Sequence, residues 1–267
     1  MKSELDEIGE WSEIKLEILD KYARAYSTIL SKNHLRYIYI DGFAGAGRHI
    51  SRATRQIVEG SPQIALNITP PFNEYHFVDL NPKRASLLRQ LGSERSDVYV
   101  YNGDCNEVLL NDVFPRARYE DRHRALCILD PYGLHLNWDV MFAAGQMKSI
   151  EIFLNFPVMD MNMNVLWNNP EKVDANQKER MTAFWGDESW WGATYTTEAD
   201  LFEYPVKTGI DSVVQAFRQR LKKVAGFGYV PEPMPMRNSK GGIVYYLFFA
   251  SQIATADKII KDIFRKY

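Results

Sequence analysis

Hydrophobic residues recur along the chain in two patterns, a helical period and short unbroken runs. Over residues 11–33 the apolar side chains fall at helical spacings, which are set by Trp11, Leu19, Tyr22, Tyr26 and Ile29. This period predicts an amphipathic helix that covers a core. Its lysines, Lys15 and Lys21, could face a ligand, but the solvated face of the helix is the favoured expectation.

Short apolar runs of strand-forming residues predict five buried strands, at 37–41, 74–79, 98–101, 125–129 and 150–154. Helical segments separate them, and Ser61 is expected to cap a short helix over residues 63–67. Strands that alternate with helices form a mainly parallel sheet. Two further runs, at 227–230 and 242–250, predict an antiparallel pair at the sheet edge. The expected fold is therefore α/β and doubly wound.

Residues 157–205 interrupt this alternation with an aromatic-rich insertion that follows the fifth strand. Tryptophan and methionine are interleaved there with asparagine and acidic residues, and a helix is expected near residues 177–185. The aromatic side chains, Trp190 among them, form either the wall or lid of a binding site or a small separate core. Beyond the insertion, the pattern predicts helices at 211–224 and 255–267.

A glycine-rich loop follows the first strand and reads Asp41-Gly42-Phe43-Ala44-Gly45-Ala46-Gly47. Glycines let the backbone turn sharply, so a ligand can approach the main chain at the carboxyl end of the strand. The loop lacks the Gly-Lys-Ser/Thr ending of a triphosphate site, and its glycine spacing differs from the nicotinamide fingerprint. S-adenosylmethionine (SAM), which is cationic and carries no phosphate, suits the carboxylate. The alternative is a tight turn without a ligand.

Four successive predicted strands are followed by acids: Asp41, Asp79, Asp104 and Asp130. In a doubly wound sheet the carboxyl ends of the strands share one edge, so we expect these carboxylates to form a row there. A ligand with several hydroxyl, amine and cationic groups fits such a row.

Composition narrows the class of protein further. The 267 residues are 46% hydrophobic and 25% charged, which is ordinary for a globular protein. The net charge of −2 and a pI near 6.2 give no global attraction to nucleic acid. Two cysteines predict no disulfide framework and no metal site. The chain shows neither a signal peptide nor an apolar run that could span a membrane, so a cytoplasmic location is expected.

Five parallel strands, a glycine loop after the first and a terminal antiparallel pair resemble the Rossmann-like fold of class I SAM-dependent methyltransferases, which has a seven-stranded sheet. The resemblance implies one domain over residues 1–267, with SAM as cofactor. It places the methionine end of SAM at Asp41 and the glycine loop, the ribose at Asp79 and Leu80, and the adenine at Asp104 and Cys105.

Four segments resemble the three-Cys-motif partner proteins (TcmP), a bacterial methyltransferase-like family, over nearly the whole chain. The segments are 39–45, Gly60-Ser61-Pro62, 130–134 and 245–250. This resemblance implies a radical-SAM-like partner protein that bears three cysteines.

The segment Asp130-Pro131-Tyr132-Gly133 resembles the catalytic motif of methyltransferases that modify nucleobase amines, in particular the Asp-Pro-Phe-Gly form of tRNA guanine-N2 methyltransferases. There, Asp130 and the carbonyl of Pro131 would accept hydrogen bonds from the amine, and Tyr132 would stack on the base. Gly133 departs from the Pro-Pro form, which argues against adenine N6. The same four residues are also a favourable type I turn.

Nucleic acid binding needs a local basic face, and Arg48, Arg52 and Arg55 follow the glycine loop where phosphate could be met. We therefore expect a methyltransferase that acts on a nucleobase amine in RNA or DNA, with Gly133, Asn155, Arg48 and Trp190 near the substrate. Two alternatives are an accessory SAM-binding partner of the radical-SAM-like protein and a small-molecule methyltransferase.

Overall fold

A computed structural model describes residues 6–199 and 205–267 of the chain. The helices are α1 Glu10–Lys32, α2 Ser61–Leu66, α3 Pro82–Leu91, α4 Cys105–Val108, α5 Trp138–Met147, α6 Val158–Asn164, α7 Ala175–Trp185, α8 Trp190–Thr194, α9 Ile210–Lys223 and α10 Ala254–Phe264. The strands are β1 Glu7–Ile8, β2 Arg36–Asp41, β3 Arg48–Ser51, β4 Ile57–Glu59, β5 Glu74–Asp79, β6 Val98–Asn102, β7 His123–Leu129, β8 Ile150–Phe156, β9 Tyr195–Ala199, β10 Pro205–Lys207, β11 Met234–Arg237 and β12 Ile243–Ala250.

Seven strands form the central sheet in the order β11-β12-β8-β7-β2-β5-β6. The five strands from β8 to β6 are mutually parallel, whereas β12 runs antiparallel to both β8 and β11. The sheet is thus mixed, in agreement with the antiparallel strand pair that was predicted at its edge. Because β7, β2, β5 and β6 are parallel neighbours, the acids at their carboxyl ends lie along one edge.

Helices cover both faces of the sheet, because its central strands are apolar on both sides. One face packs on α1, α2, α3 and α10 through a cluster that includes Tyr22, Tyr39 and Ile260. The other packs on α4, α5, α9 and the helices that follow β8, around Phe156 and Phe217. The predicted helix at 11–33 corresponds to α1, whose buried stripe holds Leu16, Leu19 and Tyr22.

The edge strand beside β12 differs from the prediction. Residues 227–230 form no strand of the sheet, and only Tyr229 makes an isolated bridge, to Ser251. The strand β11 lies instead in the proline-rich segment that we expected to be a linker, where Pro235 pairs with Tyr246. Proline lacks a backbone donor, but an edge strand has a row of donors without partners and tolerates that loss.

Two further expectations are wrong. Gly60, not Ser61, is the N-cap of α2; Ser61 is the first helical residue, and its hydroxyl donates to the carboxylate of Asp41 at 2.5 Å. Asn155 does not follow the fifth strand but lies within β8, where it pairs with Leu247.

A small second sheet, in the order β1-β3-β4, was not predicted. In it the N-terminal strand β1 pairs in parallel with β3, which begins at Arg48 just after the glycine loop. The segment before α1 is thereby held beside that loop.

The insertion contains the expected helix, α7, together with α6, α8, β9 and β10. Residues 200–204 of the predicted insertion lie outside the described residues. No helix in the described part of the chain is long and apolar enough to cross a membrane.

Candidate functional site

A cavity of about 340 Å³ lies at the carboxyl ends of β2, β7 and β8. The glycine loop contributes Phe43, Ala44 and Gly45 to its wall. Opposite them, the wall contains Asn155 and the whole of the Asp130-Pro131-Tyr132-Gly133 segment. The fold therefore brings together the two motifs that the sequence analysis singled out, although about ninety residues separate them.

Asp41, at the end of β2, is buried beneath the glycine loop and is not among the cavity-lining residues. Its carboxylate accepts hydrogen bonds from the Ser61 hydroxyl at 2.5 Å and from the backbone N–H of Phe43 at 3.2 Å. Burial raises the pKa of Asp41 from 3.8 to about 7, although both donors oppose the rise. In this structure Asp41 fixes the base of the loop.

Asp79, at the end of β5, holds the middle of the same loop. One carboxylate oxygen accepts the backbone N–H of Gly45 at 2.9 Å, and the other accepts that of Asn81 at 2.7 Å. Gly45 has φ of +66°, a conformation that favours glycine, and a Cβ built there would meet only His49, at 4.0 Å. The loop therefore leaves open space on its cavity side.

The segment Gly60-Ser61-Pro62 packs against the glycine loop from another direction. The Gly60 N–H donates to the carbonyl of Gly47 at 2.9 Å, and a Cβ on Gly60 would lie 2.9 Å from the Gly47 backbone. Glycine is thus required at position 60 for this close approach, and the two segments support each other.

Asp130 is held from two sides in the cavity. One of its oxygens forms an ion pair with Lys15 of α1, and the other accepts a hydrogen bond from the Asn155 amide at 2.7 Å. The amide oxygen of Asn155 is buried and has no partner among the described residues. The carbonyl oxygen of Pro131 likewise accepts no hydrogen bond in the described structure. The site therefore presents acceptor groups with unused capacity beside a fixed carboxylate.

The Asp130–Gly133 segment forms no hydrogen-bonded turn. It is anchored instead by Asp160 of α6, whose carboxylate accepts the backbone N–H of Leu134 at 2.8 Å and pairs with Arg180 of α7 at 3.0 Å. Gly133 has φ of +141°, and a Cβ there would lie 2.4 Å from the carboxylate of Asp160. The insertion thus fixes the shape of the motif through one side chain.

Tyr132 lies at the mouth of the cavity with 72% of its surface exposed. Its hydroxyl donates to Asp6 at 3.2 Å, and Asp6 also pairs with Arg84 of α3 at 2.6 Å. The segment before α1 therefore closes one side of the cavity. The exposed Met159 of the insertion also lines the wall.

Several predicted site residues lie outside the cavity wall. Gly42 packs on Cys105, which is buried, and Gly47 packs on Leu91. Asp104 is exposed and caps α4 by accepting the N–H of Asn106. Leu80 and Arg48 are exposed on the same edge of the sheet. Their predicted roles in binding SAM or substrate stay predictions.

Trp190 is buried inside the insertion, where its indole N–H donates to Thr182 at 2.9 Å. It does not line the cavity, and its surroundings match the separate-core alternative for this residue. Among the described residues of the insertion, those that line the cavity are Pro157, Met159 and Asp160.

Lys15 was expected on the solvated face of α1, with a ligand-facing position as the alternative, and it lines the cavity. It lies three positions after Ser12 and four before Leu19, both buried, so it belongs to the buried stripe. A lysine on the apolar stripe of a helix was the signal that could have identified it. His49 was not identified from the sequence; it lines the cavity, and its Nδ1 is buried with no partner in the described part of the chain.

Comparisons with known proteins identify the fold. The sequence matches no protein-family model and no curated protein. The structure is similar to that of protein LPL1258 from Legionella pneumophila str. Philadelphia 1, of family DUF519, with a TM-score of 0.56 at 12% identity over 93% of this chain and 89% of that one. This similarity shows a shared fold.

Two weaker matches carry no further argument because their TM-scores are below 0.5. One is a candidate methyltransferase from Thermobifida fusca YX, with a TM-score of 0.47 at 16% identity over 92% of this chain and 82% of that one. The other is the methyltransferase CalH in complex with SAH, with a TM-score of 0.39 at 13% identity over 88% and 58%.

Proposed function

We propose that this protein is a SAM-dependent methyltransferase that acts on an exocyclic amine of a nucleobase in RNA or DNA. The observation that carries the proposal is the cluster around Asp130, where a clamped carboxylate and the partnerless oxygen of Asn155 share one cavity with the glycine loop. The order and directions of the seven strands, which agree with the expected methyltransferase fold, support it.

The residues present fit SAM. Gly45 leaves room for close approach to the backbone, and two residues of the cavity wall, His49 and Asn155, each carry a buried polar atom with no partner among the described residues. Phe43, Ala44 and Gly45 would hold the methionine end, and the carboxyl edge beyond Asp79 would hold the nucleoside. SAM would supply an electrophilic methyl group on a sulfonium.

The chain's own groups would orient the acceptor amine. An exocyclic amine has a lone pair that is delocalised into the ring, so its nitrogen is a weak nucleophile until its N–H groups are hydrogen-bonded. Asp130, the Asn155 oxygen and the Pro131 carbonyl would accept those hydrogen bonds and favour attack. Tyr132, exposed at the mouth, would stack on a base taken out of its helix.

Charge at the cavity entrance agrees with a nucleotide substrate. Arg52 lines the cavity and is exposed, and it forms no ion pair with any residue that the structure describes. Arg48 is exposed nearby at the start of β3. Both could contact backbone phosphates next to the target base. Arg55, by contrast, pairs with Glu7 at 2.7 Å.

The test is methyl transfer from labelled SAM to separate pools of RNA, DNA, protein and metabolites. Asp130→Asn should lower transfer to the RNA or DNA pool by about 10²-fold or more. SAM binding, measured by thermal denaturation with and without SAM, should be retained. Asp139→Asn removes an exposed carboxylate elsewhere and should leave transfer unchanged. Because Asp130→Asn leaves Lys15 without a partner, the double variant Lys15→Met/Asp130→Asn should be equally inactive.

Three outcomes would contradict the proposal in distinguishable ways. Unchanged transfer by Asp130→Asn would remove the catalytic assignment, and transfer to metabolites alone would remove the nucleic acid. Without any transfer, retained SAM binding together with co-purification of a three-cysteine radical-SAM-like protein would indicate the accessory role.

A further inference from the structure

A second cavity lies at the opposite edge of the central sheet, remote from the Asp130 cluster. It has a volume of about 250 Å³ and is enclosed by α1, α10 and the starting ends of β7 and β8. Neither the glycine loop nor the Asp130–Gly133 segment contributes to it. The proposed methyltransferase reaction gives this cavity no role.

The walls of the second cavity are largely aliphatic. They include Ile29, Leu30, Leu35, Ile150, Ile253 and Ile259. An apolar body placed between α1 and α10 would therefore be removed from water, which is the principal source of small-molecule affinity in such cavities.

One polar group in the wall is unsatisfied. The hydroxyl of Tyr26 is buried and has no hydrogen-bond partner in the part of the chain that the structure describes. Tyr26, Glu151 and Arg124 line the same cavity. Burial raises the pKa of the Tyr26 hydroxyl, Glu151 raises it further, and Arg124 opposes the rise. It is a neutral donor that a ligand can use, since a buried donor without a partner is costly.

Glu151, by contrast, already accepts one hydrogen bond on each of its carboxylate oxygens. One accepts the Tyr22 hydroxyl at 2.5 Å, and the other accepts the Ser251 hydroxyl at 2.9 Å. Burial raises the pKa of Glu151 to about 7 despite these donors. Its charge is thus partly suppressed near neutral pH, and it offers little to a cationic ligand.

Two cations line the same cavity. Arg124 lies over the ring of Tyr119 at 3.9 Å and donates one N–H to the His123 carbonyl, which leaves further guanidinium N–H groups uncommitted. Lys148 follows α5 and forms no ion pair with any described residue. Among the charged side chains of the wall, two cations face one buried carboxyl group. The cavity therefore favours an anion.

We propose that this cavity binds a small amphipathic carboxylate, with its aliphatic body against the isoleucine and leucine walls. The carboxylate lies toward Arg124 and Lys148 and accepts a hydrogen bond from the Tyr26 hydroxyl. A guanidinium and a hydroxyl that donate to one carboxylate form charge-assisted hydrogen bonds, which are stronger than neutral ones.

The test uses octanoate, octanol and octylamine with the full chain, each titrated by calorimetry. Octanoate should bind, whereas octanol should bind at least ten-fold more weakly and octylamine not measurably. Tyr26→Phe keeps the ring and removes only the hydroxyl, and it should weaken octanoate binding about ten-fold. Tyr37→Phe, a neighbouring ring that does not line the cavity, is the matched control and should bind octanoate as the unaltered protein does.

A second variant distinguishes a loss of octanoate binding from a folding defect in Tyr26→Phe. Lys148→Met removes only the charge from an exposed position in the wall, and it should also weaken octanoate binding while leaving octanol binding unchanged. Equal affinities for octanoate and octanol would show that the cavity is purely apolar and would overturn the proposal. It would also be overturned if octanoate did not bind, or if Tyr26→Phe bound octanoate as tightly as the unaltered protein. SAM binding should be unaffected by these variants, which separates this site from the proposed active site.

Discussion

We expect the substitution Asp41→Asn to make the free energy of unfolding less dependent on pH. Burial holds the pKa of Asp41 at about 7, against an ordinary value of 3.8. Between these two values the folded state keeps a proton that the unfolded chain has released. The group's contribution to stability is therefore fully present below the unfolded pKa and is lost as the pH rises through the folded one.

The size of this effect follows from the two pKa values. One pKa unit corresponds to about 1.36 kcal/mol, so the whole loss amounts to about 4 kcal/mol, of which about 3 kcal/mol falls between pH 5 and pH 8. Asparagine stays neutral throughout and can still accept the Ser61 and Phe43 donors through its amide oxygen. The free energy of unfolding of the variant should therefore not include this loss between pH 5 and pH 8.

The measurement is urea unfolding of the protein and of Asp41→Asn at pH 5 and pH 8. The free energy of unfolding should fall between the two pH values by about 3 kcal/mol more in the unaltered protein than in the variant. Asp139→Asn controls for the loss of one negative charge at an exposed position. An equal fall in the protein and in Asp41→Asn would refute the assignment of a raised pKa to this carboxyl group.

Two further substitutions test the geometry beside the candidate site. Gly133→Ala should lower the free energy of unfolding by about 1–3 kcal/mol, because its positive φ and the nearby Asp160 carboxylate leave no room for a Cβ; Gly192→Ala, with nothing within 4 Å, should not. A stable Gly133→Ala with full methyl transfer would mean that the loop is not held as described. Trp190→Phe removes a hydrogen bond to Thr182 and should cost about 1 kcal/mol without changing transfer; a ten-fold loss of transfer at intact stability would return Trp190 to the substrate site.

The central sheet could be predicted from the sequence because its signals are local. The apolar runs that became β5 and β7 are buried along nearly their whole length, and buried parallel strands are continuous in hydrophobicity. The predicted helix at 11–33 likewise follows from one amphipathic period, and α1 begins and ends within a residue of it. The acids that follow the strands could be placed because the carboxyl ends of neighbouring parallel strands lie at the same edge of the sheet.

The edge strand and the small sheet could not be predicted, because tertiary contacts decide them. Segment 227–230 has the better strand composition, yet β12 pairs with β11, which contains Pro235 and directly follows Pro233, and proline argues against a strand. Strand β1 has only two residues and exists because β3 lies beside it. Short elements of this kind carry no period of their own.

Lys15 and Asp130 show the same limit at the candidate site. They are 115 residues apart, so no local pattern in the sequence links them.

The proposed amine acceptor can be compared with a hydroxyl by counting hydrogen-bond donors. The Asp130 carboxylate, fixed by Lys15 and Asn155, keeps lone pairs available, since each of its oxygens can accept more than one hydrogen bond. With the Asn155 and Pro131 oxygens, the site offers more acceptors than a hydroxyl, which has one O–H, could satisfy. An exocyclic amine brings two N–H donors. Because each buried group left unpaired costs about 1–3 kcal/mol, the second donor alone would favour a nucleobase amine over a hydroxyl by about ten-fold or more.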